Sequence, residues 1–170
     1  MKNFKEKLTQ IKTLLFDIDG VLTNGNVFVM PNGEIVRNLN SKDGYALLLA
    51  VKKGYRIAVI TGVNSVAVKT VLHDLGIKDV FLSQSNKEEC YENYILEHDL
   101  KEEEILYMGD DLPDYHVMKR VGIAACPENA AHEIKDISIY ISNRKGGEAC
   151  VRDIIEQVMR SQDTWEIAGW

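Results

Sequence analysis

The chain has 170 residues, of which 45% are hydrophobic and 27% charged, and a formal net charge of −6. That length suits one domain with a real core, burying roughly 70% of the surface an unfolded chain exposes. The composition argues against a disordered or membrane class, and the acidic excess against nucleic acid as a partner, since phosphate binding shows as a basic patch or stripe.

The N-terminal MKNFKEKLTQIK carries no apolar core or small-residue cleavage site of a secretion signal, so a cytoplasmic protein is expected. No apolar run approaches the roughly 20 residues that cross a bilayer. A strand is expected over residues 13–18, where LLFDIDGVLTNG carries an apolar run into two aspartates, Asp17 and Asp19. Residues 26–40 read as a β-hairpin, because Asn32-Gly33 tolerates the positive φ angles of a two-residue hairpin turn. Such a ribbon is marginal alone in water and is expected to pack on its own domain or on another subunit.

Helical spacing then alternates with apolar strand-like runs: helix 42–53, strand 56–61, helix 65–75, strand 79–82, helix 87–97, strand 105–109, helix 114–120, strand 122–125, a short helix near 130–134, strand 138–141 and helix 148–160. This alternation predicts an α/β fold, a central parallel sheet with helices on both faces, and one domain over residues 1–170 ending in a tail from about 161. Cys90, Cys126 and Cys150 are too few and too scattered for a disulfide framework or a metal knuckle. His73, His98, His116 and His132 lack metal-ligand spacing and read as structural or surface residues.

In open parallel sheets ligands bind at the carboxyl ends of the strands. The residues that close each strand here are Asp17 and Asp19, then Thr61 and Gly62, then Lys87 opening a helix, then Asp110, Asp111 and Asp114. Converging carboxylates repel one another unless a cation neutralises them, and Mg²⁺ characteristically takes one or two carboxylates, waters and a phosphate oxygen. Asp17 and Asp110 are the candidate ligands, while a hydroxyl, a backbone amide and an ammonium at Thr61, Gly62 and Lys87 suit the remaining oxygens of a phosphate. The set points to phosphoryl transfer. Taken singly, Asp111 and Asp114 read more readily as turn or cap residues, Thr61 as a turn residue and Lys87 as a solvated one.

The ordered motifs D-I-D-G-V, I-T-G, Lys87 and G-D-D-L-P-D resemble those of the haloacid dehalogenase superfamily of phosphohydrolases. FDIDGVLTNG, SKDGYAL, SQSNK, YMGDDLPDYHVMKRVGI and RKGGEACVRDIIEQV narrow the resemblance to its family of 3-deoxy-D-manno-octulosonate 8-phosphate (KDO 8-phosphate) phosphatases, over residues 12–160. That resemblance implies a Rossmann-like, capless fold and release of KDO for lipopolysaccharide biosynthesis through an aspartyl-phosphate. It implies Asp17 as nucleophile and Asp19 as general acid and base, with Mg²⁺ held by Asp17, the Asp19 carbonyl and Asp110. Thr61, Gly62 and Lys87 bind phosphate in this reading, with Asp111 and Asp114 in support. It also implies a homotetramer in which the hairpin serves assembly, and places Gly146-Gly147 and Arg152 at an interface or the substrate.

Val63-Asn64 and Val71 depart from arginines common in relatives, which leaves nine-carbon sugar acid 9-phosphates (KDN or sialic acid type) as the alternative substrates. From another class, a signalling receiver domain also clusters aspartates, Thr and Lys around Mg²⁺. There the acid pair comes first, whereas here D-x-D precedes D-D.

Overall fold

The structure, a computed structural model, describes residues 3–166. In chain order the strands are Thr13–Phe16 (β1), a ribbon of Phe28–Val29 (β2) and Ile35–Val36 (β3), then Arg56–Ile60 (β4), Asp79–Phe81 (β5), Ile105–Met108 (β6), Ile123–Cys126 (β7) and Tyr140–Ile141 (β8). Apart from the ribbon they form one parallel sheet in the order β5-β4-β1-β6-β7-β8. The helices are Phe4–Leu8 (α1), Ser41–Lys52 (α2), Val66–Asp74 (α3), Lys87–Glu97 (α4), Tyr115–Met118 (α5), His132–Ile137 (α6) and Cys150–Ser161 (α7).

β1 is buried on both faces, which is why it reads as an unbroken apolar run rather than an alternating one. Its pleat sends Leu14 and Phe16 into a core beneath α1, α2, α3 and α7, and Leu15 into a second core beneath α4, α5 and α6. The expected helices therefore cover both faces of the sheet. One of them is capped from outside itself. α7 begins after Ala149, which sits at φ 71° and offers no capping side chain, so the buried Asp43 carboxylate of α2 accepts from the Arg152 N–H at 2.6 Å. Burial pushes the Asp43 pKa up to about 6.

The differences from the sequence reading are local. The hairpin turn is not a two-residue one. Met30 and Glu34 still pair, through Met30 N–H to the Glu34 carbonyl at 2.8 Å, leaving a loop of Pro31, Asn32 and Gly33. Proline sets the φ of a type I turn and Gly33, at φ 83°, takes the left-handed position that follows it. The expected helix at 114–120 shrinks to α5, because Pro113 opens a tight turn over Leu112–Asp114 that places Asp114 before the helix. α1 has no counterpart in the expected elements. Its Asn3 and Glu6 form a reciprocal cap, a signal readable at residues 3–6. Trp165, in the expected tail, lies under the guanidinium groups of Arg152 and Arg160, while residues 167–170 of that tail lie outside the described residues.

Candidate active site

Because β1, β4 and β6 run parallel and side by side, the residues that follow them emerge at one rim: Asp17, Thr61 and Asp110. The rim lies where the chain, having built β4 and β5 on one side of β1, crosses to build β6 on the other, the place where α/β sheets open a crevice. The Asp17 N–H donates to the Met108 carbonyl at 3.1 Å, so its backbone is still stitched to β6 as the strand ends.

A buried charge network occupies this rim. The Lys87 ammonium, on the first residue of α4, sits 2.8 Å from Asp17 Oδ2 and donates to Asp114 Oδ1 at 2.7 Å. The Tyr107 hydroxyl donates to the same Asp114 oxygen at 2.7 Å, and the Asp110 N–H donates to Asp114 Oδ2 at 3.2 Å. Asp114 is thus fully buried with both oxygens engaged, and its work is to hold Lys87 and the Asp110 backbone. Asp111, expected beside it in support, is exposed and accepts from the Leu112 N–H at 2.8 Å as the cap of the tight turn.

Oxygens of Asp17, Asp110 and Asp114 lie within 4.8 Å of one another. Burial, then the charge of Asp114, raises the Asp17 pKa to about 6. Burial, then Asp17, Asp114 and Asp111, raises that of Asp110 to about 7. Burial works against the Lys87 ammonium, but Asp17 and Asp114 outweigh it and its pKa is raised. Three carboxylates against one ammonium leave two negative charges unbalanced. A hard divalent cation with oxygen ligands fits that deficit. Each Asp114 oxygen already takes two donors, whereas each Asp17 oxygen takes one, from the Ile18 N–H or Lys87, and among the described residues no hydrogen bond reaches the Asp110 carboxylate, so Asp17 and Asp110 are the two with lone pairs to offer.

Asp19 points elsewhere. Although only one residue separates it from Asp17, the chain winds a wide turn over Ile18–Leu22, closed by the Thr23 N–H donating to the Ile18 carbonyl at 3.0 Å. Asp19 is not part of the three-carboxylate cluster. Its carboxylate receives a two-pronged contact from Arg37, Nε to Oδ1 and Nη2 to Oδ2, both at 2.9 Å, and a hydroxyl from Thr23 at 3.1 Å. Gly20, at φ 85°, makes the turn possible, and any Cβ there would collide with the Asp110 carboxylate.

Thr61 is buried, its hydroxyl accepting from the Val63 N–H at 3.2 Å, and Gly62 is exposed at the rim. The Arg37 contact was not legible in sequence, since nothing local says where a ribbon arm will fold. Nor was the place of Gly146 and Gly147. They pack behind the turn, with the Gly147 N–H donating to the Val21 carbonyl at 2.9 Å and Gly146 against the Gly20 carbonyl. The paired glycines were the available signal. A Gly146→Ala Cβ would run into that carbonyl oxygen, so we expect a loss of ~1–3 kcal/mol of stability, together with lowered kcat. Thermal denaturation alongside turnover checks this, and an unchanged melting temperature would be inconsistent with it.

The model of the haloacid dehalogenase-like hydrolase family matches residues 77–150. The KDO 8-phosphate phosphatase of Salmonella typhi is 30% identical over 156 residues, covering 92% of this chain and 83% of that protein. The Yersinia pestis KDO 8-phosphate phosphatase, solved by crystallography, is similar with TM-score 0.91 and 28% identity, covering 94% of this chain and 86% of that one. The Moraxella catarrhalis KDO 8-phosphate phosphatase, solved with magnesium, phosphate and KDO, is 26% identical with TM-score 0.90, covering 94% and 91%.

Proposed function

The chain belongs to the haloacid dehalogenase-like hydrolases, in the family of KDO 8-phosphate phosphatases, and we propose that it hydrolyses KDO 8-phosphate to KDO and phosphate at the rim of its parallel sheet. The observation that carries this reading is the network of buried Asp17, Lys87 and Asp114 with half-buried Asp110 at the carboxyl ends of β1 and β6.

In this reading a carboxylate oxygen of Asp17 attacks phosphorus as the bond to the sugar oxygen breaks. Asp19 gives its proton to that departing oxygen, leaving an aspartyl-phosphate. Asp19 then takes a proton from the water that attacks the same phosphorus, and phosphate leaves with Asp17 restored. Lys87, the Thr61 hydroxyl and the Gly62 N–H hold the phosphoryl oxygens in line for both displacements. Asp114 keeps Lys87 and the Asp110 backbone in place. Asp17, Asp110 and the Asp19 carbonyl would hold Mg²⁺, which when bound would offset the charge between the attacking carboxylate and the phosphoryl oxygens.

The same reading takes the chain as a single capless domain that works as a homotetramer in the cytoplasm. The ribbon supports the assembly part: Phe28, Val29 and Ile35 are exposed on it, an apolar surface that favours covering by another subunit. No helix among the described residues is long and apolar enough to cross a membrane.

A panel of KDO 8-phosphate, a nine-carbon sugar acid 9-phosphate, a neutral hexose phosphate and p-nitrophenyl phosphate, assayed with Mg²⁺ and with EDTA, tests the assignment. The highest kcat/KM is expected on KDO 8-phosphate, with loss in EDTA restored by Mg²⁺. A preference for the nine-carbon ester would move the substrate. Absence of turnover on every ester would remove the phosphatase reading, and light scattering that returned a monomer would remove the tetramer.

A further inference from the structure

We propose that Arg37 is the substrate-recognition residue that receives the carboxylate of the sugar acid, in the groove between the β2-β3 ribbon and α3. This deepens, and rests on, the reading of the chain as a sugar acid phosphatase. Arg37 leaves the ribbon just after β3 and is tied to the site by its contact with Asp19, where Nε and Nη2 meet the two carboxylate oxygens. A guanidinium has five N–H donors, and this contact uses two of them. Among the described residues, no hydrogen bond engages the three N–H groups that remain, all on Nη1 and Nη2, although the side chain is only 10% exposed. A nearly buried cation with an unused edge is a receptor for an anion, and the planar fork favours a carboxylate.

The direction of that edge follows from Asp19. The group that protonates the sugar oxygen faces the leaving group, so its ion-pair partner stands beside the sugar rather than the phosphoryl group. Arg37 also lines a groove of about 540 Å³, within the size range of small-molecule sites, together with Val36, Leu39, Asn64, Val66 and Val71. Glu34, beside the Gly33 turn, also lines it, and Arg37 is its sole cation among the described residues. Lys87 does not line the groove; it stands at the rim between Asp17 and Asp114, where this reading gives it to the phosphoryl group. Val63 and Val71 supply no charge. A sugar whose phosphate sits at the rim and whose acid lies in this groove meets its counter-charge at Arg37.

The test compares an acidic with a neutral ester. In Mg²⁺-loaded enzyme, the ratio of kcat/KM for KDO 8-phosphate to that for p-nitrophenyl phosphate is measured for wild type, Arg37→Met and Arg37→Lys. The ratio is expected to fall ~100-fold in Arg37→Met, mostly through KM on the acidic ester, and ~10-fold in Arg37→Lys, which keeps the charge and loses the fork. Inhibition by free KDO should weaken in parallel. If both esters lose rate together and the ratio holds, Arg37 acts only by positioning Asp19 and the assignment is overturned while the phosphatase reading stands. If wild type shows no preference for an acidic ester, it is the sugar acid reading that fails, and this assignment with it. Should Arg37→Met lose its fold by circular dichroism, the Arg37→Lys ratio decides.

Discussion

Asp17→Asn is expected to lower kcat by on the order of 10⁴-fold or more on every phosphate ester, the scale of loss seen when a nucleophile is removed from a preorganised site. The substitution is nearly isosteric, and the amide oxygen can still accept from the Ile18 N–H that Asp17 Oδ1 now accepts at 2.7 Å. Lys87 keeps its contact with Asp114. The fold should therefore survive. Indeed, the metal-free variant should be as stable as wild type or more so at pH 8, because one of the mutually repelling buried carboxylates is gone. Turnover measured beside thermal denaturation separates lost chemistry from lost structure. Undiminished turnover would sink the nucleophile assignment, and a collapse in melting temperature would show that Asp17 serves the fold instead. Asp19→Asn, by contrast, should leave the nucleophile in place and cost ~10²–10⁴-fold, the range of a general acid and base.

The second large effect joins metal and pH. In the metal-free chain, burial and mutual repulsion raise Asp17 to about 6 and Asp110 to about 7 from an ordinary value of 3.8. A carboxyl with a raised folded-state pKa holds its proton more tightly folded than unfolded. Its contribution to stability is complete below about pH 3.8 and is lost as pH rises through 6 to 7. Mg²⁺ must displace those same protons, so its affinity should climb at least ~10-fold between pH 6 and 7 and level off above that. The rise in melting temperature on adding Mg²⁺ should accordingly be small at pH 5.5 and large at pH 8. Removing the metal with EDTA should abolish turnover at either pH. An equal thermal shift at the two pH values would mean that these carboxylates are not the ligands.

How far the sequence carried depends on whether a residue's position is decided along the chain or across it. Asp17, Thr61, Lys87 and Asp110 each terminate or follow an apolar run, and parallel strands deliver their ends to one rim whatever the details of packing. Their convergence was legible for that reason. The division of labour among neighbouring acids was not. Asp111 and Asp114 look alike in G-D-D-L-P-D, yet the tight turn opened by Pro113 exposes one as a cap and buries the other under Lys87 and Tyr107. The same holds for Asp17 and Asp19, one residue apart and facing different partners because Gly20 turns the chain between them.

The α/β class, the alternation that covers both faces of the sheet, and the set of strand-end acids that calls for a cation could all be read along the chain. These follow from local periodicity and from the chemistry of each side chain, neither of which needs a partner elsewhere in the chain. Folding alone brings Arg37 onto Asp19 across 18 residues of sequence, sets Asp43 to cap a helix begun more than a hundred residues later, and places Gly146 behind the turn holding Gly20. Each is a contact between segments whose separation in sequence says nothing of their approach. Their geometry is set by how the ribbon, α2 and α7 pack upon the sheet, and that packing is a property of the whole chain.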